Sequence, residues 1–143
     1  MTVKSILSEK GGSVVTIEPN ATLEAALAVL AEHRIGAIVV LGPERRVIGI
    51  VSERDIVRAL AAQGAAAFAQ SVASVMTRKV STCTEADTVS AIMEQMTQGK
   101  FRHVPVVAQD RLVGIVSIGD VVKHRLHEME IESEALREYI QTA

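Results

Sequence analysis

Apolar residues along this chain follow two periodicities, and each periodicity occurs twice. Leu23, Ala26, Leu27 and Leu30 recur at i, i+3, i+4 and i+7, which predicts a helix burying one face. Val89, Ile92, Met93 and Met96 repeat the spacing further on. Thr22 precedes the first helix and Asp87 and Thr88 the second, as N-cap residues do, and Gly36 and Gly99 lie near the expected helix ends. Short runs rich in Val and Ile predict strands at 14–17 and 80–83. Two hairpins are expected, one from residues 37–41 with 47–51 and one from 104–107 with 112–116. Gly42-Pro43 and Gln109-Asp110 supply their turns, and Pro105 suits an edge or a strand start.

The second strand of each hairpin ends in the same words. Gly49-Ile50-Val51-Ser52-Glu53-Arg54-Asp55 returns as Gly114-Ile115-Val116-Ser117-Ile118-Gly119-Asp120. A β-branched pair followed by Ser-x-x-Asp reads as a buried strand running into the first turn of a helix. Upstream, Val14-Val15-Thr16 matches Val80-Ser81-Thr82, and Val3-Lys4-Ser5-Ile6-Leu7 resembles Val72-Ala73-Ser74-Val75-Met76. The first copy carries a longer loop through Gly11-Gly12, and the second a hairpin connection one residue shorter. Such a duplication decides architecture before any single residue does. The expected fold is mixed α/β (α+β): two pseudosymmetric β-α-β-β-α repeats, residues 1–70 and 71–127, packed sheet to sheet, with a C-terminal helical tail at 128–143. Residues 59–69, alanine-rich with Gly64 in the middle, read as a helix end and a tight connector.

Composition narrows the function classes. A chain of 143 residues suffices for one buried core without a metal or disulfide staple. Its aromatics are Phe68, Phe101 and Tyr139, so it lacks the stacking platforms of single-strand nucleic-acid binders, and a net charge of −2 offers no general attraction to phosphodiesters. Cys83 is alone, which leaves no intrachain disulfide or cysteine zinc site. No signal peptide or membrane-spanning run is evident, so a cytoplasmic location without membrane insertion is expected.

Ser-x-x-Asp at a helix start has a structural reading, a capping box, and a functional one. Helix N-termini offer unpaired N–H groups and positive dipole to anions, and an aspartate can accept hydrogen bonds from the hydroxyls of a ribose. Glycine ahead of the strand end allows close approach of another backbone or a base. The doubled motif, together with Val80-Ser81-Thr82 and Phe101-Arg102-His103-Val104-Pro105-Val106-Val107, resembles the cystathionine-β-synthase-type (CBS) domain pair, or Bateman module, over almost the whole chain. The resemblance implies adenosine-containing ligands in clefts between the repeats: AMP first, with ADP, ATP or NAD(H) as alternatives and no metal. It places Asp55 and Ser52 in one cleft and Asp120 and Ser117 in the other, with Val14, Thr16, Val80 and Thr82 near the bases and Pro105 on the hairpin wall. Arg102-His103 is the basic pair assigned to phosphate. The first copy has Gly36-Ala37 there, so the clefts should differ, and Arg54 is a partial substitute or a surface charge.

The resemblance implies a non-catalytic sensor that forms a homodimer and signals energy or redox state to a separate protein target. No phosphate loop, dinucleotide fingerprint or nucleophile elbow occurs, and Cys83 reads as a small core residue. A purely structural or interaction module and a nucleotide-using enzyme remain the competing classes; a DNA-binding role lacks a basic recognition helix. His124-x-x-His127 reads as a solvated helix face rather than a metal pair, and His33 as a helix-end residue. In the tail, Val122, Leu126, Met129, Leu136 and Ile140 form a heptad-like seam, with Glu128, Glu130, Glu132, Glu134 and Glu138 mostly toward solvent. That seam fits packing on its own domain or a dimer contact.

Overall fold

The computed structural model describes residues 1–142. In chain order the elements are α1 (Val3–Lys10), β1 (Thr16–Ile17), α2 (Leu23–His33), β2 (Ala37–Leu41), β3 (Val47–Ser52), α3 (Glu53–Gln63), α4 (Val72–Val75), α5 (Val89–Gly99), β4 (His103–Ala108), β5 (Arg111–Ser117) and α6 (Ile118–Thr142). Short 3-10 turns occupy Pro43–Arg45 and Gly64–Ala69, the latter in the expected connector. One sheet has the order β1-β2-β3, with β1 parallel to β2; the other pairs β4 antiparallel to β5.

The strand expected at 80–83 shrinks to one parallel bridge, Cys83 to Val106. Pro105 accounts for this. Cys83 donates to the Pro105 carbonyl and Val107 donates back to Cys83, but the next bond toward the N-terminus requires an N–H at position 105, which proline lacks. The equivalent place in the first copy is Val39, and there the bridges Thr16–Val39 and Ile17–Val40 form β1. That strand is itself shorter than the expected 14–17. The left-handed residues ending α2 and α5 are Arg34 and Lys100, not the nearby glycines. Gly99 is needed for space, since a Cβ there would collide with the Phe101 ring.

Packing crosses the repeat boundaries. Val3 and Ile6 of α1 are buried with Val89, Ile92, Met96, Val104 and Val116 of the second repeat. Reciprocally, Val72 of α4 and the following Met76 are buried with Leu23, Leu30, Ile38 and Val51 of the first. Equivalent backbone bonds secure both exchanges: Val3 N–H to Asp87 and Val72 N–H to Ala21, each 2.8 Å, and Val89 N–H to Met1 and Leu23 N–H to Gln70. The glycines of the doubled motif serve this exchange rather than a base. A Cβ on Gly49 would lie 2.6 Å from Met76 Sδ, and one on Gly114 would lie 2.7 Å from a Leu7 methyl.

The helix begun at the second serine motif runs unbroken for 25 residues. Val121 and His124 are its buried residues. Leu126, Met129, Ile131, Leu136, Tyr139 and Ile140 are all at least half exposed, so the tail does not pack on its own domain. His124 is not on a solvated face: it is 7% exposed, with Nε2 3.1 Å from Glu9. Glu128 is also largely covered, beside the N-terminal ammonium and Arg125.

Because α1 completes the second core, Ile6→Ala is expected to cost about 2–5 kcal/mol, measured by urea denaturation. The second repeat should then loosen even though the substitution lies in the first, read as lost amide protection at Val104 and Val116.

Candidate functional site

Each serine motif forms a helix start with a defined entry. β2 pairs Ala37 with Ser52, and Gly36 accepts the Glu53 N–H. In the second half His103 pairs with Ser117, and Arg102 accepts the Ile118 N–H. The hairpin register therefore sets the first hairpin residues beside the motif: a glycine and an alanine in one half, an arginine and a histidine in the other.

The capping interaction is present in both. Ser52 Oγ accepts from the Asp55 N–H at 3.3 Å, while Asp55 Oδ2 accepts from the Ser52 N–H at 2.8 Å and its hydroxyl at 3.0 Å. Ser117 Oγ accepts from the Asp120 N–H at 3.2 Å, and Asp120 Oδ2 accepts from the Ser117 N–H at 2.9 Å. In each carboxylate the cap engages Oδ2; Oδ1 has no protein donor among the described residues. Capping and ligand binding are thus compatible at one side chain.

The second motif has a partner that the local pattern did not reveal. Lys10, the last residue of α1, places Nζ 2.7 Å from Asp120 Oδ2 and 3.0 Å from the Ile115 carbonyl. The only sequence hint is that Lys10 and Lys79 hold corresponding places after Val3 and Val72. Lys79 is exposed and forms no ion pair among the described residues. Burial by itself would raise the Asp120 carboxyl. The Lys10 hydrogen bond, the Ser117 N–H and hydroxyl, and the Lys10 charge outweigh it and hold the group below its ordinary value. His103 is lowered, by burial first and then by Lys10, with Asp120 opposing and Arg102 adding to the shift, so it is neutral at pH 7. Lys10, Arg102, His103, Ser117 and Asp120 form one polar cluster.

Ser52 and Asp55 form a smaller one. Arg54 is exposed and forms no ion pair among the described residues. The other expected residues make no side-chain hydrogen bond to either motif among the described residues. Thr16 lines a shallow depression with Ile17, Glu18, Ala21, Leu41 and Gly42, and Thr82 another with Arg46, Val47, Val107 and Asp110. Neither depression includes a motif serine or aspartate. Val14 and Val80 are half-buried, and Pro105 is buried. Gly12, just before Val14, lies against the Val113 carbonyl, so the segment entering β1 runs beside β5. Cys83 is buried, and burial, then the Asp87 charge, pushes its thiol up to about 12, which suits a core thiol. No group of three or more metal-ligating side chains occurs among the described residues.

Ser117→Ala should cost about 1 kcal/mol through the lost cap. Asp120 is depressed in the folded state, so its stabilisation is present above the unfolded value, about pH 4, and disappears as pH falls through the folded value. The stability gap between Asp120→Asn and wild type should accordingly narrow as urea denaturation is repeated toward about pH 3.

The CBS domain family model matches residues 3–62 and 72–127. The mitochondrial CBS domain-containing protein CBSX3 of Arabidopsis thaliana is 34% identical over 148 aligned positions, covering 98% of this chain and 72% of that protein. The crystal structure of the CBS-domain protein ATU1752 from Agrobacterium tumefaciens is 49% identical and superposes with a TM-score of 0.81, over 87% of this chain and 92% of that one. The CBS domain pair of protein MJ0100, solved in complex with 5′-methylthioadenosine and S-adenosyl-L-methionine, is 29% identical with a TM-score of 0.77, over 90% and 98% of the two chains. With both halves matched by one family model, and with the paired sheets and serine-capped helices that the fold displays, this chain belongs to the CBS-domain family as a tandem pair.

Proposed function

We propose that the chain is a regulatory module that binds an adenine nucleotide, AMP first and ADP, ATP or NAD(H) as alternatives, and reports it to a protein target. The observation that carries this reading is the Asp120 cluster. A carboxylate whose Oδ1 has no protein donor among the described residues stands at the first turn of α6, bonded to Lys10 and close to a neutral histidine whose charged neighbours also include Arg102. A ribose diol suits the carboxylate, and a phosphate suits the cations and the helix N-terminus. The adenosyl ligands of MJ0100, a relative of the same fold, support the ligand class. In this reading Ser117 orients Asp120, while Arg102 and His103 meet phosphate. Val14, Thr16, Val80, Thr82 and Pro105 are assigned to the walls around the bases. The Asp55–Ser52 cleft, with Gly36-Ala37 in place of the basic pair, is the weaker or differently selective one, with Arg54 its nearest cation in sequence.

No chemical step is assigned to the bound nucleotide. Binding between the repeats shifts their relative orientation by its differential affinity for the two arrangements. The exposed apolar residues of α6 fit a second copy of the chain. Val122, Leu126, Met129, Leu136 and Ile140 keep heptad-like spacing on a helix whose own domain leaves them exposed.

Asp120→Ala and Arg102→Ala are each expected to weaken AMP binding by roughly tenfold or more through lost ribose and phosphate contacts, with the fold retained. Calorimetric titration with AMP, ATP and NADH checks this. Wild-type affinity in both variants for every nucleotide would refute the site and leave the capping role alone. His103 titrates below its ordinary 6.5 in the free protein, and an adjacent phosphate raises it. AMP binding near pH 6 should therefore take up more proton in wild type than in His103→Gln, measured in buffers of different ionisation enthalpy. Leu126→Glu with Leu136→Glu should convert the dimer to monomer in sedimentation equilibrium; an unchanged mass would refute the α6 interface.

A further inference from the structure

The two halves differ at one point that the basic pair does not explain. The Ile50 carbonyl at the end of β3 accepts a backbone N–H from Thr77 at 2.8 Å. The matching Ile115 carbonyl of β5 accepts instead from the Lys10 ammonium, which is shared with Asp120. A fixed neutral amide in one half is thus replaced by a mobile cation in the other.

That cation changes what Asp120 can bind. Both hydroxyls of a ribose are held when each finds a carboxylate oxygen. Oδ1 is free of protein donors among the described residues, but Oδ2 already accepts the Ser117 N–H and the Lys10 ammonium. A neutral nucleoside must forgo Oδ2 or displace an ammonium that then has no anionic partner. A phosphorylated nucleoside supplies one. An adenosyl sulfonium brings a further cation near Lys10, and repulsion opposes it.

Movement is confined to the lysine stem. The N-terminal end of α1 is held by Val3 and Lys4 donating to Asp87 and Glu85. Near its other end, Glu9 meets Lys123 at 3.3 Å and His124 at 3.1 Å on α6. With the helix anchored, the four-carbon stem can still re-aim the ammonium. Its side chain is 33% accessible, so the swing crosses no packed core.

We propose that Lys10 is the specificity-determining residue of the Asp120 cleft: its ammonium masks the aspartate when the cleft is empty and transfers to the phosphate of an entering nucleotide, so that this cleft selects phosphate-bearing nucleosides over neutral or sulfonium adenosyl compounds. The proposal rests on the reading of Asp120 as the ribose carboxylate. It assigns no such selection to the Asp55 cleft, whose carboxylate, among the described residues, accepts from its own serine alone.

The test uses the full chain carrying Asp55→Ala, so that one cleft is followed; Asp55→Asn serves if the alanine variant folds poorly. AMP, adenosine and S-adenosylmethionine are titrated calorimetrically with and without Lys10→Met. The preference for AMP over adenosine should fall roughly tenfold in Lys10→Met, with adenosine and S-adenosylmethionine binding more tightly than before. Lys10→Arg should keep the preference. In the unliganded protein, the Asp120 carboxyl should titrate closer to its ordinary value in Lys10→Met, followed by carbon-detected NMR. An unchanged AMP-to-adenosine ratio, or an unmoved Asp120 titration, overturns the masking role. If at the same time Asp120→Ala abolishes binding in this background, the nucleotide site itself stands. Full affinity in Asp120→Ala, or no binding by the parent protein, overturns the site and the selection together.

Discussion

The reciprocal exchange of two short helices is the constraint on which the rest of the structure depends. Neither half closes its own core. α1 buries Val3 and Ile6 in the second half, and α4 with Met76 fills the first. A β-α-β-β-α unit of this size presents more apolar face than its own elements cover, and exchange supplies the missing layer. The backbone bonds at Asp87 and Ala21 make each exchange a fixed docking, since an unpaired buried N–H is costly. Each short helix is thereby fixed to the opposite half, and a residue near the N-terminus is delivered to a helix start more than a hundred positions away.

Local chemistry at the serine motifs is governed by the same economy of hydrogen bonds. The first turn of a helix must satisfy its leading N–H groups, and Ser-x-x-Asp does so with two side chains. Each aspartate uses Oδ2 for this. The cap leaves the second carboxylate oxygen without a protein donor among the described residues, so capping does not by itself exclude a ligand at the same side chain.

Pseudosymmetry then makes the differences informative. Ala37 opposite Ser52 and His103 opposite Ser117 occupy one register position, yet in the second half that position is a histidine within range of Lys10, Arg102 and Asp120. Pro105 adds a second asymmetry by removing the N–H that would have extended the third strand of its sheet. The same proline leaves residues 80–82 outside a strand, beside a hairpin wall that in the first half carries β1.

Much of this was legible along the chain. Helical spacing in Leu23–Leu30 and Val89–Met96, the two hairpins and the repeated Ser-x-x-Asp are local patterns set by neighbours three or four residues apart, so the sequence by itself determined the element order, the duplication and the capped helix starts. The expected strand at 80–83 misled because its run of residues is suitable, while the missing donor sits on the partner strand at Pro105. His124 read as solvated because its helix face is polar; Glu9 of α1 covers it. Gly49 and Gly114 suggested close approach of another backbone or a base; at Gly49 it is the Thr77 backbone and Met76 that approach, and at Gly114 it is Leu7. Only the tertiary structure decided which half each terminal helix completes and that Lys10 meets Asp120, because those contacts join segments with no common periodicity and are set by which apolar face needs a cover.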